Sequence, residues 1–360
     1  MPYNIVRYRP DLREQVLALQ SQLWGADLEA NRAYFQWKYE QNPYVKSPHI
    51  YLVLSDNTVV GMRGFYGAHW DFGDGDGALV CLGAGDLVIA PEHRNRGLFP
   101  RLMEFAHNDL ASLGVHYLFN LSGSPITQIS SMAVGWRSIG LLSRLDWASP
   151  SSGWLARTLK KRRGQRAVQE LFSPGSSFLN ARRARRMQEN GFAPDSRPEA
   201  MANLAQSLGG DARLRHDRSQ RFFEWRFRNP RSIYRFVFQG NTELEGYVAL
   251  QTPRQGETMQ VSIVDWCAVN CSVLENLIRR VIEVGRLQRL TIRASGFAPE
   301  IQNMLAAFGF RALQSKSGVR AYKPTVLVKP LGEKRNWTVA GRPLLDLATW
   351  DVRMIDSDGF

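Results

Sequence analysis

The chain has 360 residues, more than one compact core usually contains, so two domains are expected. Hydrophobic residues make up 44% and charged residues 22%, proportions that are typical of globular proteins and exclude wholesale disorder. The formal net charge is +13, which favours partners that carry negative charge.

Membrane, export and metal-site signals are absent from the sequence as read. No apolar run approaches the ~18 residues that a membrane span needs, and no apolar region follows Arg7 and Arg9, as a secretory signal would require. Cys81, Cys267 and Cys271 are few and odd in number, which favours a reducing compartment, and they lack zinc-ligand spacing. We therefore expect a soluble, cytoplasmic protein without a bound metal.

Most of the positive charge lies in one segment, 157–186, which has ten basic residues and one acidic residue, Glu170. Two basic clusters flank the breaker Ser173–Ser177, which predicts a turn between two short helices. Two interpretations stay open: a surface for phospholipid headgroups, nucleic acid or a phosphorylated substrate, or a solvated connector. The basic residues are Arg157, Lys160, Lys161, Arg162, Arg163, Arg166, Arg182, Arg183, Arg185 and Arg186.

Two parts of the chain resemble each other. The hexamer 34–39, Tyr-Phe-Gln-Trp-Lys-Tyr, corresponds to 222–227, Phe-Phe-Glu-Trp-Arg-Phe, and an Asn-Pro pair follows each. A hairpin pattern comes next in both parts. Further matches occur in the same order: Asp86 to Ala90 with Asp265 to Val269, and Gly135-Trp136-Arg137 with Gly309-Phe310-Arg311. Four ordered matches indicate a duplicated domain.

The matched tryptophans, Trp37 and Trp225, are interpreted as core residues rather than substrate-stacking ones. The organisation predicted is a first domain over 1–150, a basic connector over 151–200, a second domain over 201–330 and a tail over 331–360. The tail either lies across the domain junction or is mobile. Its carboxylates Asp356 and Asp358 either bind a cation or lie in solvent.

The first copy alternates strand and helix patterns, and the order implies a crossover between parallel strands. The predicted elements are a strand 3–8, helices 11–24 and 28–39, a hairpin 49–61, a strand 79–89, a helix 100–113, a strand 115–121 and a helix 127–134.

The loop after the 79–89 strand carries the chemistry. An apolar strand ends at Pro91, and Arg94, Arg96 and Gly97 follow immediately before a helix. Unpaired N–H groups at a helix N-terminus attract anions, and the glycine lets an anion approach the backbone. The pattern predicts a phosphate-binding turn.

This segment resembles motif A of the GCN5-related N-acetyltransferases (GNAT), with the pattern Val-x-Pro-x-x-Arg/Gln-x-x-Gly-x-Gly/Ala. Ile89, Pro91, Arg94 and Gly97 match it, whereas Phe99 replaces the small last residue. The resemblance implies an α+β (mixed α/β) fold of two tandem GNAT-like domains, each a mixed bent sheet flanked by helices. It also implies that the strands 79–89 and 115–121 splay apart to admit acetyl-CoA.

The resemblance further implies which residues hold acyl-CoA. The strand around Val88 would pair with the pantetheine through its backbone, chiefly at Leu87 and Ile89, and Asn120 would bond it from the neighbouring strand. The pyrophosphate would lie on the N–H groups of the loop and helix start: Arg94, Asn95, Arg96, Gly97, Leu98 and Phe99.

An attacking amine must be deprotonated, so a base is required. Asp86 is the candidate base, although its recurrence as Asp265 fits a structural hydrogen bond equally well. Ser131 occupies the position where the family often has an acid Tyr, and Tyr117 and Tyr66 are alternatives. His93 and His116 are interpreted as structural residues.

The second copy lacks the Arg-x-x-Gly loop, because Asn270, Cys271 and Ser272 lead directly into a helix. It is therefore expected to be non-catalytic and to shape the acceptor cleft or serve as a scaffold. The function predicted is acyl-CoA-dependent N-acyl transfer, from acetyl-CoA to an amine of a small molecule or cell-envelope sugar. The alternatives are an aminoacyl or peptidyl transferase that uses aminoacyl-tRNA, and a non-catalytic GNAT-like binding protein.

Overall fold

The computed structural model describes residues 2–71, 79–121, 124–149, 192–209, 213–241, 243–253, 261–285, 287, 289–312, 325–332 and 336–357. The basic segment 157–186 and Asp358 lie outside these described residues, and their predicted roles stay predictions. No helix among the described residues is long and apolar enough to cross a membrane.

The first copy follows the predicted order of elements, and most boundaries agree within two residues. The second strand of the hairpin, however, continues to Asp71, ten residues beyond the predicted end at 61. The π-helical turn Gln36–Glu40 extends α2, and the positive φ of Asp56 and Asn57 forms the tight turn of the first hairpin. The elements are β1 (Tyr3–Arg7), α1 (Arg13–Trp24), α2 (Leu28–Phe35), β2 (His49–Ser55), β3 (Thr58–Asp71), β4 (Leu79–Ile89), α3 (Leu98–Ser112), β5 (Tyr117–Asn120), α4 (Pro125–Ala133), β6 (Arg137–Leu141) and β7 (Ser143–Ala148).

The second copy repeats most of this order, except that it begins with a helix and has a short strand between its first two helices. Two small strands and a final strand follow it in the tail. The elements are α5 (Pro198–Ser207), β8 (Leu214–His216), α6 (Gln220–Arg226), β9 (Ser232–Gln239), β10 (Gly246–Pro253), β11 (Val261–Ala268), α7 (Cys271–Gly285), β12 (Arg289–Ala294), α8 (Pro299–Ala307), β13 (Arg311–Ala312), β14 (Thr325–Pro330), β15 (Thr338–Val339), β16 (Arg342–Pro343) and β17 (Trp350–Asp351).

Two mixed sheets form the framework. The first has the strand order β1-β2-β3-β4-β5-β14-β6, with β8 beside β3 and β17 beside β8. The second has the order β13-β7-β12-β11-β10-β9. The strands β4 and β5 pair in parallel, and so do β11 and β12, as the crossover pattern predicts. Helices cover the sheets, which confirms the predicted mixed architecture of two repeated units.

Each copy gives its last strand to the other copy. The strand β14, from the second copy, lies antiparallel between β5 and β6 of the first sheet. Conversely, β7 of the first copy lies antiparallel between β12 and β13 of the second sheet. Strand pairing thus crosses the predicted boundaries at 150 and 201 in both directions. The sequence does not show this exchange, because both strands have ordinary apolar patterns.

The junction between the copies is a buried core, and the matched tryptophans lie at its centre. The rings of Trp37 and Trp225 are stacked with centroids 4.9 Å apart and planes 7° from parallel. Each indole Nε1 donates to the main-chain oxygen of the other residue, at 2.8 Å in both directions. The two copies are therefore related by a local two-fold axis that passes between these two tryptophans. Their packing in the buried junction agrees with their predicted role as core residues.

The tail lies across the junction. Trp350 is buried against Trp70 of the first copy, with ring centroids 5.4 Å apart. Asp356 is also buried, and it accepts a hydrogen bond from Arg218 Nη1 at 2.7 Å. Of the two interpretations of this segment, the structure favours docking at the junction. Asp356 does not lie in solvent, and its partner is the guanidinium of Arg218.

Candidate active site

The loop between β4 and α3 is exposed and open. After Ile89 the chain makes one turn of 3-10 helix, Pro91–His93, and reaches α3 through Asn95 and Gly97, which have φ of 59° and 67°. A Cβ at Gly97 would meet no atom within 4 Å, so the left-handed backbone and not crowding favours glycine there. The space beside this turn is free for a ligand to approach.

The start of α3 keeps the properties of an anion site. Gly97 is its N-cap and has no side chain that could accept from the first N–H groups. The first N–H groups of a helix lack intrahelical acceptors and carry partial positive charge. Because the N-cap residue supplies no acceptor for them, these groups can bind a phosphate oxygen.

The two arginines of the loop brace it. Arg94 Nε donates to the main-chain oxygen of Ile89 at 2.9 Å, and Arg96 Nη2 donates to that of Glu92 at 3.1 Å. Both side chains are exposed. A guanidinium has five N–H donors, so these contacts leave donors that can face an anion.

The sheet opens beside this loop. The pairing of β4 with β5 ends at Gly83 and Phe119, whereas β4 stays paired with β3 as far as Ile89. The open edge of β4 therefore runs from Ala84 to the loop. This is the place where the resemblance implies a V-shaped gap for the pantetheine, which stays a prediction.

Backbone direction along β4 decides which residues face the gap. The N–H of Ala90 donates to Val60 of β3, and main-chain groups alternate between the two edges of a strand. Leu87 and Ile89 therefore point their N–H and C=O groups at the gap. Val88 points to β3, and its side chain lies in the buried core. Of the three predicted strand residues, Val88 is thus placed away from the gap.

The candidate base, Asp86, is a bulge residue. Leu87 pairs with Arg63 and Gly85 with Gly64, so Asp86 is the extra residue, with φ of 30°. A bulge redirects its side chain, and this one turns into the protein. The site thus holds a carboxylate that the solvent does not reach.

Four side chains enclose the Asp86 carboxylate. Gln20 Nε2 and Tyr39 Oη donate to Oδ2 at 2.7 Å each, and Trp24 Nε1 donates to Oδ1 at 3.1 Å. The fourth, Lys38, is fully buried and has its Nζ 3.0 Å from Oδ1.

This enclosure sets the protonation of Asp86. Burial alone raises the pKa of Asp86, but the charge of Lys38 and the hydrogen bonds of Tyr39, Lys38 and Gln20 outweigh it, so the net pKa is lowered. A carboxylate that is ionised, enclosed and paired is a weak acceptor for a substrate proton. The surroundings favour the structural interpretation of Asp86 over the catalytic one.

Its counterpart in the second copy has the same environment. Asp265 is buried and accepts from Tyr247 Oη at 2.8 Å and from Arg353 Nη1 at 3.1 Å, and Arg218 Nε lies 3.4 Å away. Each copy thus ties its central strand to surrounding elements through one buried carboxylate.

The other acid–base candidates lie apart from solvent or from the gap. Tyr117 begins β5, and its hydroxyl donates to the main-chain oxygen of Asn336 at 3.1 Å. Ser131 is buried near the end of α4. Tyr66 donates to the main-chain oxygen of Asp356 at 3.4 Å, and its ring fills the space in front of Gly83. The hydroxyls of Tyr117 and Tyr66 thus have structural partners, whereas the buried Ser131 Oγ has no hydrogen-bond partner among the described residues.

The remaining predicted residues are distributed around the loop. His93 pairs with the Tyr3 hydroxyl at 2.9 Å, and His116 is exposed. Asn120 is buried where β5 ends, beside the gap. Leu98 is a core residue of α3, and Phe99 packs partly buried against the same core, which accommodates the larger side chain. The described residues contain no cluster of three or more His, Cys, Asp or Glu that could hold a metal.

Sequence reasoning missed Lys38. It occupies the position in the first hexamer that Arg226 has in the second, and Arg226 is equally buried, donating to the main-chain oxygens of Ile355 and Ser357. A cation at the same place in both copies was the available signal. Because buried cations require partners, this repeated position would have indicated a buried anionic or carbonyl acceptor near each cation.

Known proteins share this architecture. A family profile described as "Acetyltransferase (GNAT) domain" matches residues 4–126. No protein with a curated function matches the sequence significantly.

Three solved structures are similar over almost the whole chain. A GCN5-related N-acetyltransferase from Anabaena variabilis has a TM-score of 0.58 and 11% identity, over 91% of this chain and 72% of that one. A probable N-acyltransferase from Enterococcus faecalis has a TM-score of 0.57 and 11% identity, over 92% and 73%. A tandem GNAT protein from the clavulanic acid biosynthesis pathway has a TM-score of 0.51 and 13% identity, over 92% and 99%. These likenesses establish the shared fold.

Proposed function

We propose that this chain, which matches a GNAT domain profile over residues 4–126 and shares the fold of a tandem GNAT protein, is an acyl-CoA-dependent N-acyltransferase. The observation that carries the proposal is the uncapped start of α3 beside the open edge of β4. Acetyl-CoA is the proposed donor, and the acceptor is an amine of a small molecule or cell-envelope sugar.

Each part of the site has a separate task. The N–H groups at Gly97, Leu98 and Phe99 would hold the pyrophosphate, with Arg94 and Arg96 adding charge. The main-chain groups of Leu87 and Ile89 at the open edge would pair with the pantetheine amides. When bound, acyl-CoA supplies a thioester that an amine can attack.

The acceptor amine must lose a proton before or during attack. Because Asp86 is already paired with Lys38 and three hydrogen-bond donors, we propose that the proton passes to water rather than to this carboxylate. Asp86 instead fixes β4 against α1 and α2. It acts as a positioning residue for the edge formed by Leu87 and Ile89.

Binding of acetyl-CoA tests the loop. A ligand at 100 times its dissociation constant adds about 2.7 kcal/mol to stability, so the melting temperature of the wild type rises with acetyl-CoA. We expect Gly97→Glu to remove this rise, because it places a carboxylate against the pyrophosphate. The matched control is Gly114→Glu at the other end of α3, where φ is also positive and the space equally open. Equal shifts in both variants would contradict the proposal.

The enclosed Asp86 favours a second candidate function, a GNAT-like protein that binds acyl-CoA without transferring the acyl group. Release of free thiol from acetyl-CoA, measured across a set of amine acceptors, separates the two functions. Acceptor-dependent release that Gly97→Glu abolishes supports transfer. Binding without release by any amine supports the second candidate.

A further inference from the structure

The parallel pairing of the second sheet also ends early. The strands β11 and β12 pair only from Val261 to Ile263, whereas β11 stays paired with β10 as far as Ala268. The tail crosses the gap between them, where Ser295 N donates to Val352 O at 2.8 Å and Arg353 Nη1 donates to the main-chain oxygen of Trp266. A cavity of about 380 Å³ lies beside this tail segment, between the starts of α7 and α8 and the end of α5. Its volume falls within the range of small-molecule sites, about 300–1,000 Å³.

This cavity lacks the uncapped helix start that is proposed to hold the coenzyme A pyrophosphate in the first copy. Only residues 269 and 270 separate β11 from α7. The side chain of Asn270 accepts the N–H of Val273 at 3.0 Å and so caps the helix. The helix N-terminus is therefore occupied by its own chain, and a ligand must be recognised by other groups.

Four arginines line the cavity, and they fall into two pairs. Arg218 and Arg353 are held by buried carboxylates: Arg218 Nη1 donates to Asp356 at 2.7 Å, and Arg353 donates to Asp265 and Asp351 at 3.1 Å each. This pair is part of the structure of the junction and sets one wall of the cavity.

The second pair consists of Arg213, which immediately precedes β8, and Arg215, which lies within it. Both side chains are half-buried. Arg215 Nη1 donates to the main-chain oxygen of Gly209 at 2.7 Å, which orients the guanidinium and uses one of its five donors. Arg213 lies 3.9 Å from Asp351, a carboxylate that Arg353 already binds. Positive charge therefore reaches the cavity chiefly through Arg215.

The rest of the wall is mixed. Its apolar part consists of Ala205 from α5, Leu208 just after it, Leu274 from α7 and Ile301 from α8, and the carboxylates of Glu300 and Asp351 lie at its polar part. An oriented guanidinium beside these apolar side chains suits a molecule with an anionic group and an apolar body. We propose that the second copy binds a small organic anion, a carboxylate or a phosphate ester, in this cavity. This site is independent of acyl transfer in the first copy.

Two matched probes identify the anionic group: 1-naphthoate carries a carboxylate, and 1-naphthyl phosphate carries a phosphate on the same ring. Titration calorimetry on the full chain, with saturating acetyl-CoA present, is expected to show one saturable site for at least one probe. The neutral analogue 1-naphthylmethanol is expected to bind at least roughly tenfold more weakly, because it lacks the charge-assisted bond.

Two variants test the location. Arg215→Gln is expected to lower the affinity for the more tightly bound probe roughly tenfold or more. Leu208→Trp is expected to abolish binding, because the larger side chain fills the cavity. The control is Arg279→Gln, an exposed arginine of α7 that pairs with Glu275 outside the cavity. Thermal unfolding of each variant verifies its fold.

Four results would overturn the proposal. Three of them are no saturable binding of either probe at millimolar concentration, equal binding of the neutral analogue, and equal binding by wild type and Arg215→Gln. The fourth is probe binding that occurs without acetyl-CoA and disappears when acetyl-CoA is saturating, which would place the probe in the first copy.

Discussion

The two copies share a splayed sheet and differ in the connection that follows the central strand. In the first copy residues 90–97 join β4 to α3, whereas in the second copy residues 269 and 270 join β11 to α7. The longer connection leaves the helix start uncapped, and the shorter one brings Asn270 into the capping position. The early end of the parallel pairing is common to both copies, whereas the proposed binding of a nucleotide diphosphate depends on the loop of the first copy alone.

The largest effect is expected from removing one of the two strands that the copies exchange. Without β14, the edges of β5 and β6 lose their partner and the buried Val326, Leu327 and Val328 are missing from the core. We expect a fragment 1–149 to remain unfolded, a loss of more than about 5 kcal/mol, which is the usual stability of a domain. Circular dichroism and urea denaturation measure this.

Adding a separately produced fragment 192–360 is the control, and it is expected to restore cooperative unfolding. A fragment 1–149 that unfolds cooperatively by itself would show that the exchange is dispensable.

Removing either of the matched carboxylates is expected to lower stability, with the larger loss at Asp86. Asp86→Asn leaves Lys38 as an uncompensated buried charge, which costs about 3–5 kcal/mol in urea denaturation. Asp265→Asn is expected to cost less, because Arg218 keeps Asp356 and Arg353 keeps Asp351 as ion-pair partners.

The exposed Asp11→Asn serves as control and is expected to change stability by less than about 0.5 kcal/mol. A stable Asp86→Asn variant without transferase activity would restore Asp86 as the catalytic base and distinguish the two copies.

The tryptophan pair tests the local two-fold axis. Trp37→Phe and Trp225→Phe each remove one indole donor and leave a buried carbonyl unpaired, which costs about 1–3 kcal/mol. Equal losses are expected at the two positions, and the double variant is expected to depart from additivity, because the rings are in contact. Chemical denaturation of the four proteins measures the coupling, and strongly unequal single losses would argue against a symmetric junction.

The smallest effect is electrostatic and involves two histidines of the junction. Asp217 raises the pKa of His69, whereas burial lowers the pKa of His216 to about 3. Stability from His69 is fully present below its unfolded pKa of ~6.5 and is lost as pH rises through the folded pKa. His216 has the opposite sign, because only the unfolded chain takes up its proton as pH falls below ~6.5.

We therefore expect wild type to exceed His69→Gln in stability most at pH 5, by less than about 1 kcal/mol because the pair is partly exposed. The difference shrinks at alkaline pH. Melting temperatures of both proteins from pH 5 to 9 measure it, and a difference that grows towards pH 9 would contradict the assignment.

Local pattern predicted much of the fold. The hairpin turn at Asp56 and Asn57, the strand that ends at Ile89 and the helix after Gly97 are all determined by residues close in sequence. The repeat also predicted the role of Trp37 and Trp225 as core residues.

The sequence could not show which strands of one copy pair with strands of the other. Whether β7 and β14 return to their own sheets or exchange depends on the geometry of the whole junction, because either sheet accepts an apolar strand. The direction of the Asp86 side chain depends on a bulge, and a bulge leaves no mark in a sequence of apolar residues. The matched Asp265 was the one indication of its structural role.

The exchanged strands also affect how the protein is made. The first sheet is still incomplete when residue 148 leaves the ribosome, because the sixth strand in its spatial order is Thr325–Pro330. About 180 more residues must be added, which takes roughly 10–40 seconds at ordinary rates of translation. During that interval β5 and β6 have unpaired edges, and the nascent chain depends on chaperones or on delayed collapse to avoid pairing with its neighbours.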